Sequence, residues 1–113
     1  QVAEAIDQSA NRLAPVIAEG GNFYRTIRME LMLHRLDEPH LPRPDMRNLD
    51  TPGSLAGLRD AGQPFFVAAP EDRWVTDVAG VIGATPCTVT FGDIVLGAFE
   101  QPCPAALGAG SSP

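Results

Sequence analysis

The chain has 113 residues, of which 44% are hydrophobic and 19% charged, a balance that suits one globular domain with a buried core and excludes wholesale disorder. A formal charge of −6 disfavours partners gripped through phosphate, nucleic acid first among them. All eight cationic residues are arginine, and the absence of lysine removes Schiff-base chemistry, pyridoxal phosphate attachment and the phosphate-binding lysine of a P-loop.

In chain order, Val2, Ile6, Ala10, Leu13 and Ile17 fall within roughly 80° of one another on a helical wheel, with Glu4, Gln8, Arg12 and Glu19 on the other side. This predicts an amphipathic N-terminal helix that bends at the solvent-facing Pro15 and is closed by Gly20-Gly21, with a break at Pro15 as the alternative. Residues 22–36 fit two periods. As a strand, Phe23, Ile27, Met29, Leu31 and Leu33 share one face and Arg28, Glu30 and His34 the other. As a helix, Met29, Met32 and Leu36 align and the residue types are favourable. The alternation favours a long strand. Prolines 39, 42, 44 and 52 then make residues 37–53 a long extended connection.

Ser54 reads as the N-cap of a short helix, Leu55–Ala61, closed by Gly62. Phe65–Ala69 reads as a buried strand, and a turn at Ala69-Pro70-Glu71-Asp72 would return Arg73–Asp77 as its partner. Residues 78–84 fit no period, and Gly80 and Gly83 argue against a helix there. The best-specified element is a hairpin. A Gly92-Asp93 turn pairs Phe91 with Ile94, Val89 with Leu96 and Cys87 with Ala98, on one apolar face.

Cys87 and Cys103 bracket that hairpin, and a lone pair of cysteines at this spacing suits a disulfide better than a zinc site. Closing the loop would contribute about 3 kcal/mol in the chain-entropy view. A disulfide implies an oxidising compartment, periplasmic, cell-surface or secreted. The chain opens at Gln1 with no targeting segment in view, as a mature or excised form would, and residues 108–113 read as a flexible tail following a domain of residues 1–107. No apolar run approaches the about 20 residues that a membrane span needs.

Chemistry-bearing motifs are sparse. His34, Asp37, Glu38 and His40 concentrate potential metal ligands, but a six-residue histidine spacing across a proline loop follows no ligand geometry. Ser54 could join a histidine and an aspartate in a hydrolytic triad, yet it lacks a Gly-x-Ser-x-Gly elbow and is better placed as a cap. Gly80-Val-Ile-Gly83 is too short for a dinucleotide loop. No catalytic residue, metal ligand or cofactor is assigned. What remains is surface recognition, for which Arg73 and Trp74, and Arg28, Glu30 and His34 on an exposed strand face, are the candidates.

The expectation is therefore an α+β domain, a helix packed on a mostly antiparallel sheet with a C-terminal disulfide hairpin. It would act as a non-enzymatic exported or surface-exposed interaction module, binding a protein partner or self-assembling as a subunit of an envelope, filament or particle. The alternatives are a small metal-binding or hydrolytic domain centred on His34 and His40, and a domain with a small-ligand pocket between helix and sheet.

Overall fold

A computed structural model describes residues 2–7, 13–19 and 21–99. In chain order the elements are α1 (Val2–Asp7), β1 (Val16–Ala18), α2 (Asn22–Leu36), β2 (Met46–Asn48), α3 (Ser54–Ala61), β3 (Phe65–Ala69), α4 (Asp72–Ile82), β4 (Cys87–Phe91) and β5 (Ile94–Phe99). The protein is α+β with a five-stranded mixed sheet of order β2-β1-β3-β5-β4. β1 runs parallel to both β2 and β3, whereas β5 is antiparallel to both β3 and β4. The sheet is thus mixed rather than mostly antiparallel, because helices α2 and α3 provide the crossovers that parallel neighbours require.

Alternate side chains of the central strands feed two separate cores. Val16, Ala18, Phe66, Ala68, Leu96 and Ala98 pack beneath α1 and α2, which contribute Val2, Ile6, Ile27 and Leu31. Ile17, Phe65, Val67, Ala69, Val95 and Phe99 face the other way, against Leu58 of α3 and Val75 and Val78 of α4. The result is three layers, helix on sheet on helix. Phe65 and Phe99, register partners across β3 and β5, stack with centroids 4.8 Å apart. Two residues before Phe99 lies Gly97, whose missing Cβ would stand 2.9 Å from Val75 Cγ1.

Five further sequence expectations need correction. Ile17 belongs to a strand and not to a bent helix: Val16-Ile17-Ala18 is buried on both faces, as a central parallel strand is, and the strand begins directly after Pro15. Residues 22–36 form a helix, because Ile27, Leu31 and Arg35 at four-residue spacing are the buried set. Arg73–Asp77 lies in α4, where Val75 and Val78 turn inward, and Gly83, with φ 79°, ends that helix instead of forbidding it. The connection 37–53 is interrupted by β2, whose Arg47 pairs with Ile17 in register. The short helix is found at Ser54–Ala61, but its cap is Gly53 and Ser54 makes no side-chain capping bond. The hairpin has the expected register, with Gly92 at φ 58°. Cys103 and the tail 108–113 lie outside the described residues.

Candidate interaction surface

Helix α2 is apolar on two opposite sides. Ile27 and Leu31 anchor one side in the core, while Met29, Leu33 and Leu36, within roughly 60° of one another on the far side, are 54%, 55% and 74% exposed. Scattered exposed apolar residues such as Leu13 and Val81 are ordinary, but three aligned on one rigid helix are not. A shallow groove of about 450 Å³ runs along this side between Arg25, Thr26, Met29, Glu30 and Leu33. A second, of about 240 Å³, lies where Met32 and Leu36 meet Leu41, Pro42, Arg43 and Pro44. The proline-rich connection therefore extends the apolar surface of the helix.

Charge is distributed unevenly around this stripe. Arg35, Arg47, Arg59 and Arg73 each hold a carboxylate, on Asp7, Asp45, Asp60 and Glu71 respectively. Arg28 and Arg43 are exposed, Arg25 is exposed at the groove, and none of the three has an ion-pair partner among the described residues. On the wheel Arg25 and Arg28 flank the stripe on the Met32 side, which is also the side of Arg43. Glu30 occupies the opposite flank, and its Oε2 accepts the Ala3 N–H at 2.8 Å.

The helix is held in place by a buried polar clamp. Asp7 Oδ1 accepts from Arg35 Nε at 3.1 Å and Nη2 at 2.9 Å, and Arg35 Nη1 donates to the Pro42 carbonyl at 3.1 Å. Asp7 Oδ2 meets His34 Nδ1 at 2.8 Å. This network ties the end of α1, the last turn of α2 and the proline-rich connection into one unit. It also fixes where the sequence candidates go. His34 turns to Asp7, His40 lies 3.6 Å from Glu38, and no group of three or more His, Cys, Asp or Glu side chains gathers as a cation site among the described residues. Ser54 opens α3, on the opposite face of the sheet from α2, so it is not brought to His34. Arg28, Glu30 and His34 sit on a helix and part company: Arg28 is exposed, Glu30 binds α1 and His34 joins the clamp. Trp74 is half-buried against the second core with Arg73 5.6 Å from its ring centroid.

The other feature of note is Glu19, directly after β1. Its Oε2 is buried without a hydrogen-bond partner among the described residues. β1 leads to α2 on one face of the sheet and its neighbour β3 leads to α4 on the other, so Glu19 lies at the carboxyl-end switch point where open α/β sheets take ligands. No protein-family model, curated protein or solved structure matches the chain. Sequence reading missed the outward stripe because its residues had been placed on a strand, although the three- and four-residue spacing of Met29, Leu33 and Leu36 was there to be found.

Proposed function

We propose that this chain is a non-enzymatic protein-interaction module of an extracytoplasmic compartment, a subunit of an envelope, filament or particle assembly, with the outer side of α2 as its docking surface. The observation that carries the reading is the exposure of Met29, Leu33 and Leu36 on a helix whose other side is fully anchored. An exposed apolar row costs solubility and adds nothing to the core, whereas a partner that covers it recovers about 25 cal/mol per Å² of apolar area. For the compartment, the support is the sequence itself, a lone pair of cysteines at a spacing that suits a Cys87–Cys103 disulfide. No helix among the described residues is long and apolar enough to cross a membrane, so attachment to an assembly would come through protein contacts in this part of the chain.

A displayed library of helical peptides, selected on the wild-type protein and counter-selected on Leu33→Asp, tests the surface. Enrichment of ligands that need Leu33 supports the reading; ligands that ignore Leu33 place the interface elsewhere. Alkylation under non-reducing conditions followed by mass spectrometry tests the compartment, since two alkylated thiols in native material would point to a reducing one. The unpartnered Glu19 oxygen favours a second reading, a small ligand with a hydrogen-bond donor seated at the carboxyl ends of β1 and β3. That reading requires ligand-induced thermal shifts that disappear in Glu19→Gln.

A further inference from the structure

We infer that the partner seated on α2 is an acidic amphipathic helix of another protein, lying along the Met29–Leu33–Leu36 stripe with its carboxylates on the Arg25, Arg28 and Arg43 flank. The inference rests on the docking reading above and adds the chemistry of the occupant. Thr26, Met29, Leu33 and Leu36 follow the three-four-three spacing that lines up along one helix side and receives the ridge of another helix. The charge pattern selects the sign. In a protein of net charge −6, the described arginines outside this face are neutralised by carboxylates of the chain itself, and the three beside the stripe have no such partner among the described residues. An incoming carboxylate row would complete them, and would speed encounter by electrostatic steering.

A second copy of this chain fits less well. Pairing α2 antiparallel with itself sets the arginine flank against its own image. Pairing it parallel offers that flank only Asp37 and a Glu30 already bonded to Ala3. A flat anionic bilayer would face the overall negative charge and would not use a groove.

The test uses two synthetic peptides of about four helical turns, each with leucine at the stripe spacing, one flanked by glutamate and the other by lysine. They are titrated by fluorescence anisotropy at physiological and at high salt. The expected result is binding of the glutamate peptide in preference to the lysine peptide, weakened by salt. Arg25→Glu with Arg28→Glu should weaken it about tenfold, and Leu33→Asp about thirtyfold or more. Leu33 is more than half exposed, so its variant should fold, and circular dichroism checks this. Because the arginine variants leave the apolar stripe intact, they test the charge term even if Leu33→Asp is lost. Equal binding of the two peptides overturns the inference. So does Leu33-dependent binding to phosphatidylglycerol vesicles, or a wild-type dimer in light scattering that Leu33→Asp dissolves. If the library instead returns Leu33-dependent ligands with no acidic edge, the docking surface stands and the acidic partner falls; if no ligand depends on Leu33, both fall.

Discussion

Replacing Arg35 by methionine probes whether α2 is fixed firmly enough to serve as a platform. The Arg35 and Asp7 side chains are 5% and 4% exposed, and two guanidinium nitrogens reach one carboxylate oxygen at 3.1 and 2.9 Å. Removing the cation leaves a carboxylate out of water with His34 as its remaining side-chain partner among the described residues. Breaking one side of a buried pair in this way typically costs about 3–5 kcal/mol, a large share of the roughly 5–15 kcal/mol that holds a domain together. The melting temperature should fall by something on the order of 15 °C or more. Asp7→Leu alone should be comparably harmful, since it strands the guanidinium. The double variant should recover about 2 kcal/mol or more of the summed loss, because nothing charged is then left unpaired. Urea denaturation of the four proteins gives the coupling directly. Single variants that each cost less than about 1 kcal/mol and add in the double would mean that water reaches the pair, and that α1 does not clamp α2.

Further expectations concern the layers around it. Gly97→Ala would place a methyl 2.9 Å from Val75 Cγ1 and 3.4 Å from Phe99 Cε1, both side chains fully buried, so a loss of about 1–3 kcal/mol is expected and should shrink in a Val75→Ala background; equal losses in both backgrounds would contradict the close approach. Glu19→Met removes a buried acceptor that has no partner, so it should raise the melting temperature by the equivalent of roughly 1 kcal/mol, and a fall would show that Glu19 is satisfied in solution. Serine at Met29, Leu33 or Leu36 should change stability by no more than about 0.5 kcal/mol, whereas Ile27→Ala should cost about 2–5 kcal/mol; comparable losses on both sides of α2 would mean that the stripe is buried after all.

The parts of the fold that were legible in the sequence are those in which one face is wet and one dry, in which glycine sets the backbone, or in which an unbroken apolar run is long enough to stand out. The hairpin announced itself through alternating Cys87, Val89 and Phe91 and the Gly92 turn, and its register is as expected. Phe65–Ala69 was equally plain as a run of buried residues. The errors have separate causes, of which burial on both faces in a three-layer arrangement is one. Val16-Ile17-Ala18 has no polar side and is too short to show a period of its own, so it borrowed the helical spacing of Val2 and Ile6 before it. Val75, Val78 and Ile82 carry a helical spacing that Pro70 and two glycines obscured, although Gly80 is exposed and costs the helix only about 1 kcal/mol. Arg35 was invisible as a core residue, because nothing in the sequence shows that Asp7 would reach it from α1.

The misreading of α2 and the candidate site arise from the same physical fact. A helix buried on one side and wet on the other alternates polar and apolar residues every three or four positions and is not taken for a strand. Met29, Leu31 and Leu33 mimic a strand because Leu31 points into the core while Met29 and Leu33 point away from it, so apolar residues recur every second position around a helix that has two apolar sides. A core explains only one of those sides. The second side, whose arginines have no ion-pair partner among the described residues, is exposed, and under the proposed reading it is where a partner would recover binding energy.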